Sequence, residues 1–213
     1  MPRKERERRA YLFDVRSEKR ENGISHLSGS PIVYNSPTDI GGWFREIIEP
    51  GALIGADLKD VPLFVNHNDR MIPVARSRNN NANSTMRLIL TDAGMDIEAD
   101  IDTERNATAR ELDSAVERGD IDGMSFMFTV ADERWEGLDT DYPTRHINKF
   151  DRIFEVSAVT WPAYESTTIN ARGKEALESA RSALESARQQ RAKSPEGDLE
   201  LEKEKIKALF GGR

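Results

Sequence analysis

Three side chains of this sequence have the right types for acyl transfer and lie far apart along the chain. Ser125 sits in the short apolar segment Met124-Ser125-Phe126-Met127-Phe128. His67 ends another, Phe64-Val65-Asn66-His67, and Glu155 lies inside a third, Phe154-Glu155-Val156-Ser157. A hydroxyl attacks a carbonyl usefully only beside a general base, and the base works best when a third group orients it. Imidazole titrates near neutrality, so it can take a proton and return it. A fold that gathered the three would be a serine hydrolase. Bland roles are open for each. Ser125 can be an ordinary strand serine, His67 a strand-end histidine bonded by Asp69, and Glu155 a structural partner of Arg76 or Arg152.

The orienting group has three candidates, Glu155, His146 and Asp69. Glu155 is favoured because an unpaired carboxylate within an apolar strand is costly. His67, Asp69 and His146 also allow a metal-dependent hydrolase, although ligands so placed are a weak metal signal. His26, the other histidine, lies in a Gly/Ser-rich stretch.

Such groups need a rigid frame, and the sequence supplies strands. Alternation of apolar and polar residues marks 86–90 and 95–101, with Asp92-Ala93-Gly94 as the turn between them. Further strands are expected at 10–15, 31–34, 62–67 and from Ile153 to Thr160, where Pro162 stops the run. In the serine strand Met124, Phe126 and Phe128 point one way and Ser125, Met127 and Thr129 the other. One helix is expected before it, capped by Thr103, with Ala109, Leu112, Ala115 and Val116 on one face and Gly119 past its end. Many short strands with one or two helices favour a small barrel or sandwich over a doubly wound sheet.

Composition divides the 213 residues into three parts. Residues 1–9 are almost all charged and read as a disordered N-terminus. Residues 10–172 hold most aromatic and branched residues and read as the β domain. Residues 173–213 read as a helical or partly disordered tail, with Ala176, Leu177, Ala180, Ala183, Leu184 and Ala187 at helical spacing and a break at 193–197. A stripe so narrow is expected to dock on a partner, self-associate or stay partly unfolded. The net charge of −7 and pI near 5.2 argue against binding nucleic acid through bulk phosphate attraction. The absence of cysteine excludes disulfides, zinc–thiolate sites and a cysteine nucleophile. No apolar run reaches the ~20 residues of a membrane span, and no secretory signal is evident, so an intracellular, soluble chain without cofactor is expected.

Five strings in register resemble the caudovirus prohead serine proteases. Phe44-Arg45-Glu46-Ile47-Ile48-Glu49-Pro50-Gly51-Ala52-Leu53 is similar to their Glu-x-x-x-Pro-Gly-Ala-Phe segment. Leu63–His67 resembles their histidine strand, and 90–95 the segment ahead of their helix. Gly119–Phe126 resembles their serine strand, and Phe154–Ala163 their closing strand. The resemblance spans about residues 30–172. It implies a mainly β fold with flanking helices, a small closed barrel of the herpesvirus-assemblin type. It also implies a serine endopeptidase of capsid maturation, in which Ser125 is the nucleophile, His67 the general base and Glu155 the third member, with His146 its competitor. Scaffold, or the scaffold-like arm of the major capsid protein, would be the substrate, inside the assembling prohead in the host cytoplasm. Self-cleavage, with 193–197 as one exposed region for it, and dimerisation would be possible, and the tail would load the enzyme among scaffold helices. The alternative is a non-enzymatic scaffolding protein with a β-barrel head. Two departures stand out: Met127 where the family often has glycine, and Val74-Ala75-Arg76 where it often has Ile-Gly-Arg.

Overall fold

A computed structural model describes residues 6–11, 15–160 and 171–193. Eleven strands and two helices run in the order β1 (Glu7–Tyr11), β2 (Arg16–Lys19), β3 (Ile24–Val33), β4 (Thr38–Ile40), β5 (Phe44–Ile48), β6 (Val61–Val65), β7 (Ala75–Ser77), β8 (Met86–Thr91), β9 (Gly94–Asp102), α1 (Ala107–Glu117), β10 (Gly123–Glu136), β11 (Thr144–Val159) and α2 (Ala171–Ala192).

The strands form two sheets. The first has the order β1-β10-β11-β5-β4, with β6 also paired to β11 and β7 to β6; the second has the order β2-β3-β9-β8. The mainly β fold expected from the sequence is therefore present, but its expected closure is not. Among the described residues no ladder joins the two sheets, which face each other across a shared apolar core instead of closing into a barrel. Alternation builds that core. Met95, Ile97, Ala99 and Ile101 of β9 are buried, while Glu98 and Asp100 are exposed. Met124, Phe126 and Phe128 of β10 are fully buried, and Phe126 and Phe128 meet Phe150 edge-on at 5.9 and 5.1 Å. Gly94 has a φ of 148°, and a Cβ on it would lie 2.0 Å from the Ile32 carbonyl oxygen, so only glycine lets the β8–β9 turn pack on β3.

The helix before the serine strand forms with a different cap. Asn106, not Thr103, accepts a hydrogen bond from the Ala109 N–H at 3.3 Å. Thr103 instead donates to the Gly23 carbonyl at 2.8 Å. Ala109, Leu112 and Val116 are buried, and Gly119 follows the helix at φ 74°.

Two expectations about the chain ends change. The charged N-terminus is not simply solvated from residue 1 to 9, because β1 begins at Glu7 and pairs antiparallel with β10. Glu7 and Arg9 are neutralised in place. Arg9 donates to both oxygens of Glu46, at 2.5 and 2.7 Å, and Arg145 donates to Glu7 at 2.5 and 2.8 Å, to Glu46 at 3.0 Å and to Glu133 at 2.9 Å. All but Glu133 are buried. The stripe of the tail is likewise used by this chain itself. Ala180 and Leu184 of α2 pack on Ile40, Phe44, Trp43, Trp135 and Leu138, and Arg188 donates to the Leu138 and Thr140 carbonyls. Trp135 supplies a flat apolar surface, so a stripe too narrow for its own core suffices as a lid. The break expected at 193–197 begins at the helix end, and residues 194–197 lie outside the described residues.

Two outcomes follow. Leu184→Ala lowers stability by about 2 kcal/mol, and loosening of α2 shifts the Trp43 and Trp135 emission to longer wavelength in a urea titration. The second concerns acid. Burial alone would raise the Glu7 pKa, but Arg145 and Arg9 outweigh it and lower it to about 2 from 4.5. Its stabilising contribution is full above the unfolded value and is lost as pH falls from 4.5 toward 2. Melting temperature across that window falls steeply in the wild type and less steeply in Glu7→Gln.

Candidate active site

The site grows from the way β11 is shared. At its end β6 lies parallel to it, with Leu63 beside Val156, Phe64 beside Ser157 and Val65 beside Ala158. β10 lies antiparallel on the other side, with Ser125 opposite Ser157 and Met127 opposite Glu155. Directly opposed residues of a ladder project from the same face, as do alternate residues of one strand. Ser125, Met127, Glu155 and Ser157 therefore share one face of the first sheet, away from Phe126 and Phe128.

The chain leaves β6 through a tight corner that carries the histidine onto this face. Asn66 and His67 both have left-handed backbones, at φ 51° and 55°. Two consecutive non-glycine residues there are strained, and such strain persists only where neighbours over-determine it. The neighbours are at the end of β11. The Asn66 N–H donates to the Ala158 carbonyl at 2.9 Å, and its Oδ1 accepts from the Thr160 N–H and hydroxyl at 3.1 and 3.0 Å. The His67 N–H donates to Ser157 Oγ at 3.2 Å.

The side chains then interlock. His67 Nδ1–H donates to Glu155 Oε1 at 2.6 Å, and the Ser157 hydroxyl donates to Glu155 Oε2 at 2.6 Å. Each carboxylate oxygen has a donor, which is how a charge survives in a strand where only 5% of its side chain is exposed. With Nδ1 donating, the neutral ring presents Nε2 as a base. The His67 side chain is 11% exposed.

Ser125 stands one strand over, opposite Ser157, and is 1% exposed. Its hydroxyl donates to the Arg9 carbonyl of β1 at 2.6 Å, and no hydrogen bond joins it to the imidazole. The structure thus brings His67 and Glu155 into contact and Ser125 onto their face, with the serine hydroxyl directed to β1.

The competitors fall elsewhere. His146 lies at the far end of β11 beside Ile47 of β5, where its Nδ1 meets Glu49 at 2.6 Å and Arg134 at 3.2 Å. Asp69 meets His67 through its backbone N–H, 3.0 Å from the His67 carbonyl. His67, Asp69 and His146 do not converge, and no group of three metal-binding side chains occurs among the described residues. Arg76 pairs with Asp60 at 2.6 Å, and Arg152 with Asp57 at 3.7 Å, so neither serves Glu155. His26 is bonded to Asp100 at 2.9 Å.

Reading the sequence alone passed over Ser157, Asn66 and the carbonyl of Arg9. Ser157 had a signal: two residues after Glu155 in a strand, it must share that residue's face. Asn66 had a weaker one, since asparagine is enriched in left-handed turns. Nothing local announces Arg9.

No curated protein and no solved structure matches the chain. The family model of the caudovirus prohead serine proteases matches residues 12–181, which includes every strand and side chain of this site except β1. By that match, the chain belongs to the caudovirus prohead serine protease family.

Proposed function

We propose that the chain is the serine endopeptidase of phage capsid maturation, with His67 as general base, Ser125 as nucleophile and Glu155 as the group that orients the base. The observation that carries this reading is the 2.6 Å contact of His67 Nδ1 with Glu155, on the sheet face that Ser125 shares. The carboxylate fixes the tautomer with the lone pair on Nε2 and stabilises the imidazolium formed in the reaction. His67 takes the Ser125 proton as Oγ bonds to the carbonyl carbon, and returns it to the amine as the peptide C–N bond breaks. Water, deprotonated by the same imidazole, then releases the acyl group.

Ser157 is the nearer serine to Glu155, and its own hydrogen bonds speak against it as nucleophile. Its proton is committed to the carboxylate, its oxygen accepts from the His67 backbone, and it is fully buried on the Nδ1 side of the ring. It is a positioning residue that fixes the second carboxylate oxygen and the strained corner together. The substrates are scaffold or the scaffold-like arm of the major capsid protein, met in the host cytoplasm inside the prohead, and the chain itself is a further substrate. The tail has less to offer as a loading or dimerising helix than its sequence promised, because Ala180 and Leu184 already face this chain's own sheet.

Co-expression with the major capsid protein of the same phage tests the assignment on a gel. Ser125→Ala folds and leaves the capsid protein uncut; normal processing by that variant removes the reading. Glu155→Gln lowers kcat by about 10³–10⁴ through loss of the tautomer. Ser157→Ala lowers it by about tenfold, the worth of one hydrogen bond to a charged group. Ser157→Thr, which keeps a hydroxyl donor for the carboxylate, restores the rate.

A further inference from the structure

The hydrogen bond that occupies Ser125 has a second meaning. β1 is an edge strand held along β10, with Arg9 opposite Phe126 and Ala10 opposite Ser125. The Ser125 hydroxyl therefore meets a peptide carbonyl of an extended strand at 2.6 Å. A protease receives its substrate as such a strand, since backbone pairing to a sheet edge supplies affinity and alternate side chains supply choice. We infer that the edge of β10 beneath β1 is the docking lane of the substrate strand, that Glu46 and Arg145 select its side chains, and that β1 is a built-in occupant of that lane.

The charges support the lane as much as the backbone does. Arg9 projects onto Glu46, and Glu7, the alternate residue of the strand, onto Arg145. If β1 leaves, Glu46 and Arg145 still hold each other at 3.0 Å, and Arg145 keeps Glu133. The empty lane then carries two carboxylates against one guanidinium, an excess of negative charge that takes a cation. The substrate class is an extended peptide with arginine at the residue whose carbonyl meets Ser125, and a carboxylate two residues before it is favoured by Arg145. Its scissile bond follows the arginine.

β1 itself is held out of reaction. The Ser125 proton points at the carbonyl oxygen, so no lone pair is aimed at the carbon and no hydrogen bond links the hydroxyl to His67. Cleavage needs the strand to be exchanged for one seated so that the hydroxyl proton faces Nε2. The strand thus makes the enzyme slow until a competing substrate reaches high local concentration.

This inference rests on Ser125 being the nucleophile, and the experiment separates the two. The probe is an internally quenched peptide copying residues 6–15 of this chain, assayed with the full-length protein and mapped by mass spectrometry. The wild type cuts it after the arginine corresponding to Arg9. A version with glutamate at that position is cut at least about 100-fold less, since like charges juxtaposed in a buried site cost several kcal/mol. Arg9→Met, which weakens the hold of β1 by about one charged hydrogen-bonded pair, raises kcat/KM on the arginine peptide by about tenfold. Equal cleavage of the two peptides by the wild type overturns the lane, and that comparison needs no variant to fold. Cleavage at another bond, or no cleavage of either peptide by a wild type that still processes capsid protein, overturns it too. A folded Arg9→Met chain with unchanged kcat/KM overturns the role of β1. Capsid processing that persists in Ser125→Ala overturns the assignment of the nucleophile instead.

Discussion

A single carboxylate inside a strand organises this molecule. Glu155 is buried between Phe154 and Val156 of β11, where its charge is tolerable only if both oxygens are satisfied. One oxygen takes the imidazole of His67 and the other the hydroxyl of Ser157. Those demands reach outward. To deliver the imidazole the chain must turn out of β6 through two left-handed residues, and the turn holds only because Asn66 is pinned by the end of β11. Strand pairing, corner strain and site polarity are thus consequences of housing one charge.

The same strand carries a second charge problem at its other end, solved differently. There Arg145 is buried among Glu7, Glu46 and Glu133, and their carboxylates outweigh desolvation to hold the guanidinium pKa above its usual value. Removing Arg145, which serves all three carboxylates, is costly, about 3–5 kcal/mol, because buried charge is left without its partner. Through Arg9 and Glu7 this cluster fastens β1 on the edge of β10, and so it governs what the serine hydroxyl meets. The two ends of β11 thus do different things: one holds the His67 imidazole on Glu155, the other holds β1 against the Ser125 hydroxyl.

The parts legible in the sequence are those written in local pattern. Alternation in 86–101 marked β8 and β9, the apolar triplet Met124, Phe126 and Phe128 fixed which face of β10 is core, and the cost of an unpaired carboxylate singled out Glu155 before its partner was visible. What escaped was non-local. Glu7 and Arg9 read as solvated because the residues that pair with them, Arg145 and Glu46, lie far along the chain. The stripe of α2 reads as incomplete because the indole it rests on belongs to β10. Thr103 and Asn106 are both good helix caps, and the choice was made by the Gly23 carbonyl, which claims the threonine. The barrel failed to close for a similar reason: alternation dictates faces, while which edges meet depends on pairings that no single strand encodes.

The corner at Asn66 and His67 constrains how this position can vary. A left-handed backbone admits histidine, asparagine and glycine with modest strain and resists branched side chains. Glycine at 67 would relax the turn, so a substitution that removes the imidazole gains conformational ease in the same step. The imidazole is thus held on this face against a conformational gradient, and the sheet beneath it does not depend on the ring.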